Sequence, residues 1–411
     1  MKLMNFTVLK MSAFAIVIGA IVGLAISGFA LSLQWCDNTR IENAHLIYLL
    51  PLAGLGIVAI YKGAGIDNPG GTNRVIWRVH DNSYVKAIMT PLIFLATVIS
   101  QFFGASVGRE AAALQIGGSL GSFVAQKLKV SEQNSSIVII CGMSAAFSAL
   151  LGTPIAAALF ALELADAIIK KPSAIIPSFI SSGIAFLIGK GLLIPYLNVE
   201  LISILALDLN TVLLVILLAI FSAIASIVFV LSKKLITKCF SKLLKNQYVR
   251  IFVCGTIVVL ITFIVGDQTF NGVGSRTIQA CLAQSGFTIV WWAFLLKILL
   301  TNISLGGGYQ GGEIIPVLFI GATLGNAFSQ VFPIDACVAS ALGMIGLFSA
   351  ATKCPLASIV ISFELFGLNN PLYFLIIVVI STICSGTFRI YDEQALPNFK
   401  QLKVSIKSHL R

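Results

Sequence analysis

The chain has 411 residues, 58% hydrophobic and only 10% charged, with a mean hydropathy of +0.99. A soluble domain carries roughly 25% charged residues, so this composition excludes a soluble globular protein and identifies an integral membrane protein. The net charge of +11 is concentrated in clusters that flank apolar segments, which topology explains without a nucleic-acid partner.

Residues 1–11 carry Lys2 and Lys10 and precede an uninterrupted apolar run at 12–34, longer than a signal-peptide core and read as an uncleaved first helix. Further apolar stretches fall near 46–61, 86–104, 136–165, 174–198, 202–231, 251–265, 288–303, 314–332, 337–366 and 371–388. Several reach the ~20 residues that cross a bilayer; others are short or broken by glycine and proline. Broken helices survive at membrane depth only when buried in protein or lining a cavity, so the chain reads as an all-α polytopic bundle with irregular backbone inside. Lys233, Lys234, Lys238, Lys242, Lys245 and Arg250 read as one basic loop, and Lys400, Lys403, Lys407 and Arg411 give a short basic tail over 392–411. The positive-inside rule makes these regions and the N-terminus cytoplasmic, in a multi-pass protein of the inner (plasma) membrane. The eight cysteines include no Cys-x-x-Cys and read as packing residues, and the three histidines are too scattered for a metal site. No metal or cofactor is expected.

The stretch Gly104–Gly121 stands out. Gly108-Arg-Glu110 sets a cation and a carboxylate side by side where glycines give way to the helix-forming run Ala-Ala-Ala-Leu-Gln. Glycine permits close backbone approach, and a helix start offers free N–H groups and a partial positive charge to an anion. A carboxylate on that first turn can fill the anion position itself and leave when an anion arrives. Ionisable groups at membrane depth are rare and usually functional.

The same pattern returns later. Gly142-Met-Ser-Ala-Ala-Phe matches Gly343-Met-Ile-Gly-Leu-Phe, and both runs continue to a proline and then a Glu-Leu pair at Glu163-Leu164 and Glu364-Leu365. Gly117-Gly-Ser-Leu-Gly121 matches Gly321-Ala-Thr-Leu-Gly325, and Gly108-Arg-Glu110 matches Gly311-Gly-Glu313. Matches at a nearly constant separation of about 200 residues are an internal duplication, with halves at 12–198 and 202–391. The first half enters from the basic side, while the second reaches its basic segment only after its first helix. That makes an inverted repeat, which brings broken-helix termini from both halves to one midplane site. Glycine-rich turns at matching points, Gly63–Asn73 and Phe270–Arg276, are candidate ligand-facing loops.

These residues resemble the CLC family of chloride channels and anion–proton antiporters over most of 12–391. The likeness is carried by Gly108-Arg-Glu-Ala-Ala-Ala-Leu-Gln-Ile-Gly-Gly118, by Gly152-Thr-Pro through Glu163, and by Gly311-Gly-Glu-Ile-Ile-Pro316. The resemblance implies a homodimer with one pathway per subunit, Glu110 as gating glutamate and Tyr391 as an inner anion ligand. It also implies anion contacts around Gly108, Arg109, Gly312 and Ile314, and, with only 20 residues after Tyr391, no cytoplasmic nucleotide-binding (CBS) pair. The family's central serine is missing, with Gly70 or Gly71 in its place, and the family's inner proton glutamate aligns with Leu164. Those departures, with the Gly-Gly-Glu-x-x-Pro run, look like the bacterial branch that exports fluoride in exchange for protons. A chloride channel or chloride–proton antiporter is the alternative, since channels also lack the inner glutamate.

Two carboxylates in an apolar bundle, Glu110 and Glu313, resist ionisation and so are suited to carry protons at cellular pH. An anion beside Glu110 favours its protonated form, which couples anion to proton by linkage. Glu313 is expected to hold or relay the proton in place of the glutamate that Leu164 replaces, protonated or bonded to backbone or hydroxyl donors. Capping of its own helix is the competing reading. Glu163 and Glu364 read as structural or interfacial, and Arg109 as a neighbour of the gate rather than an anion ligand. The chain is not expected to be an enzyme, because it carries no His-Glu-x-x-His, serine–histidine pairing or Gly-x-Gly-Asp.

Overall fold

The computed structural model describes residues 2–394 apart from 68, 197, 198, 200, 202 and 285, with side chains described from residue 8. The expected tail lies outside these from residue 395 onward, as does residue 200 in the junction between the halves. The first half runs α1 (Lys2–Glu42), α2 (Leu50–Gly63), α3 (Gly71–His80), α4 (Met89–Phe102), α5 (Glu110–Lys127), α6 (Ser135–Leu151), α7 (Pro154–Leu164), the single turn α8 (Ala167–Lys170) and α9 (Ile175–Gly191). The second runs α10 (Leu209–Leu243), α11 (Gln247–Val265), α12 (Ser275–Ala283), α13 (Ala293–Gly307), α14 (Ile314–Ser329), α15 (Ala336–Thr352), α16 (Pro355–Phe366) and α17 (Pro371–Cys384). Apart from α8, the two series repeat the same order of long and short helices. Six segments among the described residues are long and apolar enough to cross a membrane, and the shorter apolar helices pack between them.

Two boundaries differ from expectation. The first helix begins at Lys2 rather than near 12, and the segment expected at 202–231 starts at Leu209 and runs to Leu243. Lys233, Lys234, Lys238 and Lys242 therefore lie on the last turns of α10, and Arg250 on the first turn of α11, leaving Lys245 between the helices. Lysine is a good helix former, and a cation on a last turn meets the negative end of the helix dipole. Charge thus ends the bilayer crossing without ending the helix.

The core is built twice on the same device. At the α5–α6 crossing a Cβ on Gly117 would lie 2.2 Å from the Gly142 carbonyl oxygen; at the α14–α15 crossing a Cβ on Gly321 would lie 2.4 Å from that of Gly343. Small residues let apolar helices approach to backbone contact, where dispersion and packing replace the hydrophobic drive that lipid cannot supply. Farther along, the apolar runs 136–165 and 337–366 each break in the left-handed region, at Gly152 and Lys353, and resume as α7 and α16. Glu163 accepts from the backbone N–H groups of Leu356 (3.1 Å) and Ala357 (2.7 Å) at the start of α16. Glu364 accepts from Ile155 (2.9 Å) and Ala156 (2.7 Å) at the start of α7. Each carboxylate satisfies the orphan donors at the other half's helix N-terminus and sits at its positive pole. The structural reading of Glu163 and Glu364 holds in this reciprocal form.

Candidate functional site

The starts of α5 and α14 meet head to head. Gly108 donates its N–H to the Gly312 carbonyl (2.7 Å) and Gly312 donates back to Gly108 (2.8 Å), an isolated antiparallel bridge. Side chains are excluded there: a Cβ on Gly312 would lie 2.7 Å from the Ala111 nitrogen, and one on Gly108 would lie 2.8 Å from Pro316 Cδ. Two serines lock the approach crosswise. Ser304 Oγ of α13 accepts from Ser106 N (3.1 Å), and Ser100 Oγ of α4 accepts from Gln310 N (3.0 Å). Two helix N-termini from opposite halves thus point their free donors toward one buried spot.

This bridge corrects the register of the repeat. Its two glycines are each other's mirror mates, so Gly108 corresponds to Gly312 and not to Gly311. Arg109 then corresponds to Glu313, each the residue that precedes its helix, and Glu110 to Ile314, each the first helical residue. Matching by residue type slid the second motif by one position. On a helix one residue is a rotation of about 100°, so Glu110 and Glu313 face different surroundings.

Glu110 is fully buried. Its carboxylate folds back on its own helix start, accepting from Arg109 N (3.2 Å) and lying 3.4 Å from Arg109 Nε. Glu313, with its side chain 14% exposed, makes no cap hydrogen bond to α14. It accepts instead from Lys233 Nζ of α10 at 2.6 Å. Both expected partners of Glu313, its own backbone and a hydroxyl, give way to an ammonium 80 positions away in sequence. The next lysine, Lys234, pairs with Asp392 at 2.6 Å, beside Tyr391. Asn302 of α13 sets this end of α10, donating to Ser232 Oγ (2.7 Å) and to the Phe229 carbonyl (3.2 Å).

Tyr391 is buried, with its hydroxyl toward Thr72 and within electrostatic reach of Glu313 and Glu110. No protein group among the described residues partners that hydroxyl at hydrogen-bond geometry. Thr72, on the first turn of α3, accepts from Gln115 Nε2 of α5 (3.3 Å), whose Oε1 is also unpartnered. Gly70 takes the left-handed conformation (φ 71°) that starts α3, and its mirror mate Gly274 does the same (φ 79°) for α12. The two glycine-rich turns are therefore equivalent helix starts.

Two open cavities lie at opposite ends of α2 and α11. One, about 590 Å³, is lined by Tyr61, Gly70, Gly71, Lys233, Arg250 and Glu313 among others. The other, about 570 Å³, is lined by Arg40, Gln268, Asn271 and Arg276 among others. In the sequence pattern Lys233 speaks only to topology, and Lys297 stands as a lone cation in an apolar stretch. The latter is fully buried on α13, donating to the carbonyls of Phe270 (3.0 Å) and Gly272 (2.9 Å) with its ammonium 5.0 Å above the Phe319 ring. A lysine inside an apolar stretch was the available signal for it. No cluster of His, Cys, Asp or Glu among the described residues could hold a metal.

The structure thus brings Glu110, Gly108, Arg109, Gly312 and Ile314 together at the two helix starts, and Glu313, Gly70 and Gly71 to one cavity, while Tyr391 is buried with its hydroxyl toward Thr72. Comparison with known proteins agrees with this architecture. A solved CLC-type fluoride/proton antiporter superposes with a TM-score of 0.88 at 25% identity, covering 94% of this chain and 97% of its own. A slow cyanobacterial chloride/proton antiporter shares the fold, with a TM-score of 0.78 at 19% identity over 98% of this chain and 99% of its own. In sequence, the chain is 28% identical to the chloride/fluoride channel protein of Pseudomonas syringae pv. tomato, over 95% of this chain and 87% of the relative. It is 26% identical to the H(+)/Cl(-) exchange transporter ClcA of Vibrio campbellii, over 92% of this chain and 85% of the relative. The profile of the voltage gated chloride channel family matches residues 53–386. A duplicated helical bundle whose glycine-started helices meet at a buried glutamate, matched by that profile over most of its length, belongs to the voltage gated chloride channel family.

Proposed function

We propose that this chain is a secondary transporter that exports fluoride in exchange for protons across the bacterial inner membrane, with both termini cytoplasmic and as a homodimer with one pathway per subunit. One observation carries the reading: two carboxylates of different exposure adjoin the two helix starts that meet, Glu110 sealed at that meeting and Glu313 in the cavity lined by Lys233. The positive-inside rule makes that cavity cytoplasmic, because α10 ends there in a run of lysines. The solved neighbour is a fluoride/proton antiporter and the Pseudomonas relative a chloride/fluoride channel protein, which favours fluoride over chloride.

The chemistry follows from the geometry. With Glu110 ionised, its carboxylate occupies the donors that an anion needs. A proton on Glu110 weakens that hold and frees the Arg109 N–H, beside the α14 start at Ile314, for the anion, while Gly108 and Gly312, bonded to each other, keep the approach close; a bound anion in turn favours the proton, by linkage. Small, strongly hydrated fluoride is served by close backbone N–H groups, with Tyr391 and the α3 start at Gly71 on the cytoplasmic side and Gly70 setting that start in the left-handed conformation. Glu313, aided by no glutamate at Leu164, passes the proton between Glu110 and the cytoplasmic cavity.

The test is a liposome assay that records fluoride and pH together. Fluoride efflux should draw protons inward, and fluoride should move faster than chloride. Chloride efflux as fast as fluoride returns the chain to the chloride side of the family, and fluoride movement without protons makes it a channel. Glu313→Gln separates relay from scaffold, since only a relay loses coupled exchange.

A further inference from the structure

We propose that Lys233 is an exchangeable counter-ion: its ammonium holds the Glu313 carboxylate while that group is ionised, and becomes a ligand for the transported anion when Glu313 takes up a proton. The inference rests on the antiport reading and adds to it a residue and a means of coupling at the cytoplasmic mouth.

Glu313 immediately precedes α14, the helix whose free donors face the anion, and a fixed negative charge there repels an anion. Lys233 cancels that charge at 2.6 Å. It is held in place independently of Glu313, because Asn302 clamps the preceding residue, Ser232, and the Phe229 carbonyl. Protonation of Glu313 removes the charge but not the lysine, so an ammonium is left without its counter-ion at the rim of a cavity open to solvent.

The surroundings of the pair point to an anion as its replacement. The other groups facing the cavity are Arg250 on α11, Tyr61 on α2, Asp67 in the turn before α3, and Tyr309 after α13, with Tyr391 within electrostatic reach of Glu313. Tyr61 is 5% exposed, and neither its hydroxyl nor Arg250 Nε has a partner among the described residues. Tyr309 is already committed, donating to the Leu50 carbonyl at 2.9 Å. Asp67 is the one other carboxylate, and Lys233 pairs with Glu313 instead. Among the described residues the cavity therefore presents one cation in an ion pair and one outside any ion pair, with a buried phenol, a set that suits a monovalent anion once Glu313 is neutral.

The order of events produces exchange. A proton arriving at Glu313 from the Glu110 side releases Lys233, which draws an anion in from the cytoplasm. Loss of that proton to the cytoplasm returns Lys233 to Glu313 and drives the anion onward.

The experiment measures the KM for fluoride on the cytoplasmic face, by initial fluoride efflux from liposomes over a range of internal pH, in the wild type and in Lys233→Met, Lys233→Arg and Glu313→Gln. In the wild type the cytoplasmic KM should fall as internal pH falls. Lys233→Met should raise it about tenfold, the scale of one lost charge-assisted contact, and flatten its pH dependence. Lys233→Arg should restore both, and Glu313→Gln should give a low KM independent of pH, since its lysine is permanently released. The KM on the opposite face should not move, whereas a merely structural role for Lys233 would disturb both faces. Should Lys233→Met not fold, Lys233→Arg and Glu313→Gln still decide the matter. A wild-type cytoplasmic KM that ignores pH, or a Lys233→Met protein with the wild-type value and slope, overturns the proposal. A wild type that moves fluoride without protons overturns the antiport reading, and the pH dependence of its cytoplasmic KM still judges Lys233.

Discussion

The two halves of this protein share a scaffold and differ in what they do with a carboxylate. In the first half the acid is the first helical residue, Glu110, fully buried and turned back on its own helix start. In the second it is one position earlier, Glu313, and reaches sideways to a lysine on another helix. The places exchanged are instructive: the mirror mate of Glu110 is the apolar Ile314, and that of Glu313 is the cation Arg109. Duplication supplied two equivalent helix starts, and a one-residue offset in where the acid sits buried one carboxylate and left the other at an open cavity. The crossing glycines, the crossed serines and the reciprocal caps, by contrast, stayed symmetric.

The symmetric parts should fail alike. Gly117→Val and Gly321→Val each drive a branched side chain into a backbone carbonyl at a helix crossing, an overpacking of about 3 kcal/mol or more that the helices relieve only by parting. Neither variant should yield monodisperse protein in detergent, and normal yield of either would show that the close crossing is dispensable in that half.

The asymmetric parts should fail differently. Glu110→Gln keeps size and hydrogen bonding but removes the titratable proton. Fluoride-driven proton movement should fall by tenfold or more, about 1.4 kcal/mol of lost coupling at least, with uncoupled fluoride leak allowed. Placing an acid at the mirror position, in Ile314→Glu, should not rescue coupling in Glu110→Gln, because Ile314 is packed in protein and lacks an adjacent arginine. Rescue would mean that the halves are functionally interchangeable.

Smaller effects test the frame. Ser100→Ala and Ser304→Ala each remove one buried acceptor for an opposite-half N–H, a loss of about 1–3 kcal/mol seen as lower thermal stability, equal in the two variants. Glu163→Gln and Glu364→Gln weaken a helix cap by about 0.5–2 kcal/mol. They should lower thermal stability by similar small amounts and leave the ratio of protons to fluoride unchanged. A changed ratio in Glu163→Gln alone would assign that residue to the proton path and break the symmetry of the caps.

Much of this was legible before any coordinates. Glycine spacing announced the duplication, since Gly117, Gly142, Gly321 and Gly343 recur in order, but not the helix crossings that those glycines make. A glutamate after Gly108-Arg109 in an apolar region announced a carboxylate at a buried helix start. Both are local signals, a residue type at a position along one helix. Helix ends were less legible: the lysines of α10 looked like a loop because charge marks the edge of a bilayer, while backbone hydrogen bonding continues past it.

Sequence alone determined the membrane class, the duplication with its opposed entry of the two halves, and Glu110 at a helix start, because composition, period and local propensity act over a few residues at a time. Only the tertiary structure decided the register of the repeat, through a bridge between Gly108 and Gly312 that residue matching placed one position off. It alone gave Glu313 its partner, Lys233, and set Glu163 and Glu364 on each other's helices. The physical reason is the same in each case. A helix turns about 100° per residue, so the chemistry of a side chain depends on which distant backbone and which distant charge that angle presents to it.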